Sequence, residues 1–278
     1  MEGLREEPKM KKLFYVLIFA GMLLGSVLGC QAAGMGEQES GAPEVAVSQE
    51  KLEHRNDKGE LCLVLSYDTV HVNNAEQYGA LSDAIQSGHN LVWQNRIESL
   101  YKEFKKTAEE FKENSTNSNS CFMNSNVYFT TEQRTSVKKA DKNIVSLLTD
   151  VYEWYGSAHP NTGTLCVNYN PATGGIYHLK DFIAPGKMDA FLQKAAKPAL
   201  KKINEGEGRH FDSDYLTELE NCFARDGQAG ENLDWTWDGK ALTLYFDHYT
   251  FGSYMSGAVK MVFPAEKYGK YFRDTFSK

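Results

Sequence analysis

From Gly59 the chain begins to alternate. Leu61, Leu63, Leu65 and Tyr67 interleave with Cys62, Val64, Ser66 and Asp68, and the run continues through Val70 and Val72. A period of two places successive side chains on opposite faces, so this segment predicts a strand. Between Tyr78 and Phe111 the period lengthens. Ile97, Leu100, Tyr101, Phe104, Ala108 and Phe111 recur at i, i+3 and i+4, the stripe of a helix packed on one side. Lys102, Glu103, Lys105, Lys106, Glu109 and Glu110 lie between them as its solvated face. Gly88 marks a place where this helix is expected to break. The polar run Asn114–Ser120 ends it, because Asn and Ser side chains compete for backbone hydrogen bonds.

Strand patterns return at 126–131, 144–155 and 164–169. Pro171-Ala172-Thr173-Gly174-Gly175 is a turn, and Ile176–Leu179 is apolar again, so 164–179 predicts a hairpin. Met188 to Ile203 carries a second helical stripe, which Pro198 should kink or end. Ser213 or Asp214 can cap a third helix bearing Leu216, Leu219 and Phe223. Leu233–Trp237 and Ala241–Phe246 flank Asp238-Gly239, a hairpin signal. Ala258–Phe263 predicts a last strand, after which Pro264 opens a helix over 265–272. Strands bunch with few helices between them. The expected class is α+β: a mainly antiparallel sheet with a long N-terminal helix and two or three shorter ones. The expected division is a strand–helix–strand subdomain over 58–148 and a second α+β subdomain over 149–278.

Before Gly59 the pattern differs. Lys9, Lys11 and Lys12 precede an apolar run from Leu13 to Leu24, followed by Val27-Leu28-Gly29-Cys30. A basic start, a short apolar stretch and a small residue make a secretory leader over 1–29, too short for a spanning helix. Met10 is an alternative start that shortens its basic end. Cys30 directly after Gly29 resembles the lipobox of bacterial lipoproteins, which implies acylation of Cys30, with palmitate among the chains, and a membrane anchor. The segment before Cys30 carries four basic and three acidic residues, so its loss takes the net charge from −7 to −8. Residues 30–57 are rich in Gly, Ala, Glu, Gln and Ser and should form a flexible tether.

A net-negative chain argues against a nucleic-acid partner, since phosphate binding needs concentrated Lys and Arg. Export would leave Cys62, Cys121, Cys166 and Cys222 in an oxidising compartment, where disulfides in any of three pairings are expected. No spacing of Cys and His resembles a metal site, and no G-x-S-x-G, P-loop or dinucleotide motif occurs, so no cofactor is expected. Two aromatic segments suggest a binding surface instead: Tyr152 to Gly163 and Tyr245 to Gly257. Asp247-His248, with His159, is the nearest approach to an acid–base arrangement. On a continuous strand those neighbours would face opposite ways, so no catalytic residue is assigned.

The same segments carry a resemblance. Tyr155-Gly156-Ser157-Ala158-His159-Pro160-Asn161, then Asn168-Tyr169-Asn170, Thr173-Gly174 and Leu179-Lys180-Asp181-Phe182, resemble the signature of an RsiV-like family of the bacterial envelope. Leu244 to Tyr249, Tyr254, Gly257 and Val262-Phe263-Pro264 are similar to the tail of that signature. Ser157 and Asn170 depart from it. The family includes the extracellular part of lysozyme-binding anti-sigma factors and a non-catalytic region of a peptidoglycan deacetylase. The resemblance implies a non-enzymatic, lipid-anchored binding protein whose partner is lysozyme or a peptidoglycan-related ligand. Tyr155, Gly156, His159, Asn161, Tyr249 and Tyr254 are its expected contact residues. A cell-wall hydrolase or deacetylase using His159, Asp247 or His248 is the alternative.

Overall fold

The computed structural model describes residues 41–117, 128–157, 159–206, 209–227 and 233–277. The leader, Cys30 and Cys121 lie outside them. The class is α+β, with eight strands in two sheets and all but one pairing antiparallel.

The first sheet has the order β1-β2-β3-β4-β5, from β1 (Val45–Arg55), β2 (Leu61–Val72), β3 (Phe129–Ala140), β4 (Val145–Trp154) and β5 (Asn161–Tyr169). Strand β1 corrects the expected tether. Val45 and Val47 pack beside Val70 and Val72, but beyond them Ser48 to Glu53 shows polar residues on both faces, as an edge strand permits, so no alternation betrays it. The sheet also runs straight through position 148, inside β4. The boundary between the two units therefore falls after β5.

Strands β2 and β3 are parallel, and a crossover joins them: α1 (Gly79–Ile85), a π-helical turn (Gln86–Asn90) and α2 (Leu91–Asn117). The expected break at Gly88 is this π-turn, which widens the helix without interrupting it. Ile97, Leu100 and Ala108 of α2 bury against Cys62, Leu63, Leu65 and Phe129, with Phe104 and Phe111 alongside.

The β2–β3 ladder stops at Ser66 opposite Glu132. Beyond it side chains take over the backbone's hydrogen bonds. The Asp68 N–H donates to Gln133 Oε1 (2.5 Å), and the Thr135 N–H donates to Asp68 Oδ2 (2.7 Å). Asn90 meets both backbone groups of Val70, accepting from its N–H at 2.8 Å and donating to its carbonyl at 2.8 Å. His89 Nε2 lies 3.1 Å from Thr135 Oγ1. The π-turn is what lets the adjacent His89 and Asn90 both face the sheet, 3% and 4% exposed. A buried backbone group without a partner costs about 1–3 kcal/mol, so this wedge of side chains is structural.

The second sheet, β6 (Asp234–Trp237), β7 (Ala241–Phe246) and β8 (Val259–Pro264), follows the expected hairpin and strand. On it pack α3 (Leu179–Phe182), α4 (Met188–Phe191), α5 (Lys197–Gly206) and α6 (Tyr215–Arg225). A π-turn over Leu192–Ala196 precedes Pro198, which has no N–H for the normal ladder, so the expected kink takes that form. After Pro264, α7 (Ala265–Tyr268) and, further on, α8 (Asp274–Ser277) close the chain. The core is aromatic, with Phe182 in contact with Trp235, Trp237, Phe272 and Phe276 at centroid distances of 4.9–5.2 Å. The expected 164–179 hairpin is reduced to one bridge, Tyr169 to Ile176. Its turn is pressed onto α1: a Cβ on Gly174 would lie 2.3 Å from the Ala80 carbonyl, at a φ of +69°.

Sheet β1–β5 meets sheet β6–β8 through side chains. The Cys166 N–H donates to Asp234 Oδ1 (2.6 Å), Asn168 Nδ2 to the Trp235 carbonyl (2.8 Å), and the Trp237 N–H to Ser146 Oγ (3.1 Å). No disulfide joins Cys62, Cys166 and Cys222. The even cysteine count therefore makes no bridge among these three. Burial pushes the Cys62 thiol up, and burial with Asp234, Asp150 and Asp247 nearby pushes Cys166 up further, so both are poor thiolates.

Candidate functional site

The two aromatic segments converge where the units join. Strand β7 ends at Phe246, so Asp247, His248 and Tyr249 form a turn and the opposite-face rule for strands does not bind them. Tyr249 has a φ of 67°, the one left-handed non-glycine among the described residues, and its ring is 54% exposed. A bulky residue held there costs roughly 1–3 kcal/mol and needs support from its surroundings.

That support comes from 250–258. The Asp212 N–H donates to the Phe251 carbonyl (2.9 Å), Ser256 Oγ to the His210 carbonyl (2.6 Å), and Arg209 Nη1 to the Ala258 carbonyl (2.6 Å). Tyr254 stands at the centre. His159, from the loop after β4, stacks on it at 4.4 Å and 22°, and His248 stacks at 4.7 Å and 16°. Tyr249 leans on the same ring at 5.8 Å. Met255 beside it is 87% exposed. His159, Tyr249 and Tyr254 of the expected set are thus brought together, with His248 added.

Tyr155 and Gly156 are placed elsewhere. Tyr155 turns into the core, stacked on Phe104 at 4.3 Å with its hydroxyl on Thr131 Oγ1, and burial pushes its phenol far up. The period-two reading had no means to show that β4 ends one residue earlier and turns this ring under α2. Gly156 lies over Phe111 and Phe129: a Cβ there would come 2.9 Å from Phe111 Cε2, at a φ of +80°. Its role is packing. Asn161 is exposed at the start of β5, opposite Glu153. Glu153, 5% exposed, pairs with Arg96 Nη2 of α2 at 2.5 Å and pins the end of β4 beneath the loop.

Sequence reasoning missed a groove beside this cluster. The face of the first sheet away from α2 supplies Glu132, Arg134, Asp150, Tyr152 and Thr164, and Asp247 and His248 overhang it; the volume is about 320 Å³. Thr164 holds both aspartates: its N–H donates to Asp247 Oδ1 (3.0 Å) and its hydroxyl to Asp150 Oδ1 (3.3 Å). Arg134 donates to Ser66 Oγ (3.1 Å) and lies 3.6 Å from Glu132 Oε2. Behind them Asp234 is pushed up to about 8, by burial first and by Asp247 in addition, against the stabilising Cys166 N–H. The signal was available in β4, where Asp150 and Tyr152 alternate outward against Val151 and Glu153 inward. Among the described residues no group of three or more His, Cys, Asp or Glu is placed to hold a metal ion. No described helix is long and apolar enough to cross a membrane.

Residues 66–162 match the family model described as Deacetylase PdaC, and residues 180–266 match that of a protein of unknown function, DUF3298. No curated protein matches the chain. Among solved structures, it is similar to a member of the DUF3298 family from Bacteroides fragilis NCTC 9343. The TM-score is 0.53 at 15% identity, over 86% of this chain and 96% of that one. A DUF3298 family protein from Pseudomonas aeruginosa PAO1 matches with a TM-score of 0.49 at 16% identity, over 84% and 96%. The Bacteroides likeness is one of fold. The first match ends at residue 162, early in β5, and the second begins at residue 180, in α3, so the boundary between the units falls in the stretch that neither model covers. Most of the first unit is similar to the PdaC model and most of the second to the DUF3298 model, which agrees with the RsiV-like resemblance read from the sequence.

Proposed function

We propose that this chain is a non-enzymatic binding protein of the cell envelope, anchored through acyl chains on Cys30, which captures a basic protein such as lysozyme on the ridge formed by Tyr249, Tyr254 and Met255. The observation that carries this reading is the stack His159–Tyr254–His248, which fixes exposed apolar residues in a rigid frame drawn from both units. Rigid aromatic anchors lose little entropy on binding. A mature charge of −8 would draw a basic partner, mainly raising the encounter rate. A peptidoglycan-related ligand is the other partner class that the family resemblance brings. The intact chain in nonionic detergent, titrated with lysozyme at low salt, is expected to form a complex at micromolar concentration or below, weakened at least tenfold in Tyr249→Ser and Met255→Ala. The anchor is checked alongside: labelled palmitate should be incorporated, and Cys30→Ser should abolish it. Absence of any complex at micromolar concentration sinks the partner assignment.

A second reading has one observation in its favour: Asp247 and His248 share the groove with Asp150. Hydrolysis or deacetylation of peptidoglycan that disappears in His248→Ala, with the fold retained, would replace binding by catalysis.

A further inference from the structure

We infer that β1 is a self-pairing edge: two copies of this chain join through it, antiparallel and centred on Leu52, into one sheet with five strands from each. This does not rest on capture of a protein at the ridge, so either assignment can fail alone. Strand β1 ends the sheet order, so among the described residues no strand lies along its outer side, eleven residues long. Such an edge presents unmade backbone donors and acceptors, which proteins ordinarily guard with charged residues. Charges are present here, in the run Gln49-Glu50-Lys51-Leu52-Glu53-His54-Arg55, but their order favours pairing with a copy.

A two-fold axis normal to the sheet keeps each face of β1 on the same side in both copies, so only residues that share a face can lie opposite one another. With Leu52 on the axis, Lys51 of one copy lies opposite Glu53 of the other, Glu50 opposite His54, and Gln49 opposite Arg55. No like charges meet. Centring on Glu50, Lys51 or Glu53 sets that charge against itself, which destabilises a strand pair. Centring on Gln49 leaves Lys51 opposite Val47 and Glu53 opposite Val45. Centring on His54 runs the ladder out of the strand, because β1 ends at Arg55 and the chain turns through Asn56–Glu60.

The two faces contribute differently. His54 meets Glu109 Oε1 of α2 at 2.6 Å, which puts Glu50, Leu52 and His54 on the α2 side and Gln49, Lys51, Glu53 and Arg55 on the open side. On the open side Lys51 Nζ already pairs with Glu53 Oε1 (2.5 Å), and Arg55 Nη2 lies 3.5 Å from Glu53 Oε2. Two such Lys51–Glu53 pairs, set head to tail, form a square in which each charge has only opposite charges beside it. On the α2 side His54 is already engaged by Glu109, so Glu50 opposite it decides little. Leu52, apolar and 38% exposed, would cover its own copy. The segment 49–55 carries two acidic and two basic residues, so the net charge of −7 is absent where the copies would meet. A strand from another protein would need this pattern in reverse, whereas a copy supplies it by symmetry. The ridge lies beyond β5, four strand spacings or about 19 Å from β1, and stays open in the pair.

The test is sedimentation of the intact chain in nonionic detergent across the micromolar range, beside Lys51→Glu, Glu53→Lys and an equimolar mixture of these two variants. Both side chains are largely exposed, 50% and 35%, and unchanged circular dichroism checks the fold. The unaltered chain should dimerise. Each single variant sets like charges opposite one another at two symmetric places and should weaken the dimer about tenfold. The mixture should recover it, because each variant supplies the sign that the other lacks. In the unaltered chain, amide exchange within 49–55 should slow as concentration rises, while exchange in β8 stays constant; this separates strand pairing from two chains sharing a micelle. A monomer throughout the range, association indifferent to both variants, a mixture no tighter than either variant alone, or unchanged exchange in 49–55 overturns the inference.

Discussion

The five-stranded sheet buries two apolar clusters, one beneath α2 around Leu63, Leu65 and Phe129 and one beneath α1 around Val70, Ile85 and Leu147. Between them runs a polar band of Asp68, His89, Asn90, Gln133 and Thr135. The three-stranded sheet instead buries one unbroken cluster in which Phe182 touches Trp235, Trp237 and Phe272 through their rings, and Phe272 in turn touches Phe191. The first unit is held in register by specific hydrogen bonds where β2 and β3 part. The second is held by area. Hydrogen bonds are directional and fail when one partner is removed, whereas aromatic area is lost in proportion to what is cut away. The groove and the ridge both lie where these two kinds of core meet, across the side-chain bridges from Ser146, Cys166 and Asn168 to β6.

The largest break in this comparison is Trp235→Ala. Trp235 is 1% exposed and packs on Phe182 at 5.0 Å. Truncating a buried aromatic costs about 3–5 kcal/mol. Chemical denaturation should show that loss. A loss under 1 kcal/mol would show that the aromatic cluster does not hold the second unit.

A smaller and more local effect is expected from Asn90→Leu. The substitution keeps volume but removes both hydrogen bonds to Val70. Leaving a buried donor or acceptor unmade costs about 1–3 kcal/mol. Hydrogen exchange at the Val70 amide should accelerate far more than at Trp237, which lies in the other unit. Equal acceleration at both sites would mean that the two cores unfold as one.

The same contrast explains what could be read from the chain. The α2 stripe, β2, the Asp238-Gly239 hairpin and Pro264 were legible because each obeys one local period or one turn chemistry. Strand β1 was not, since its pairing with β2 depends on a neighbour and not on its own alternation. Nor were the π-turn at Gln86–Asn90 or the polar wedge, because Asp68, Asn90 and Gln133 acquire partners only where two strands distant in sequence diverge. At the site, His159, Tyr249 and Tyr254 stood out as polar-aromatic residues among glycines. Tyr155 and Gly156 carried the same signature and proved to be packing, since nothing local distinguishes a ring above α2 from one beneath it. Asp150, Tyr152 and Thr164 sit at ordinary strand positions, and only the overhang of Asp247 turns them into a groove.

The last contrast is in pH dependence, and here the two regions should differ in sign. Burial lowers the His89 pKa from its ordinary 6.5, against the opposing pull of Asn90 and Asp68. The unfolded chain therefore takes up this proton first. The contribution is complete above about 6.5 and is lost as pH falls below that through the depressed folded value. Asp234 behaves oppositely: its folded pKa is raised from 3.8 to about 8, so the folded state keeps a proton that the unfolded chain releases. Its contribution is complete below about 3.8 and is lost as pH rises from there through about 8. Denaturation midpoints measured across this range should fall on both sides. His89→Gln should flatten the acid limb and leave the alkaline one, and Asp234→Asn should flatten the alkaline limb alone. If either substitution altered both limbs, the polar wedge and the seam at Asp234 would be electrostatically coupled, and the separation of the two cores would not extend to their charges.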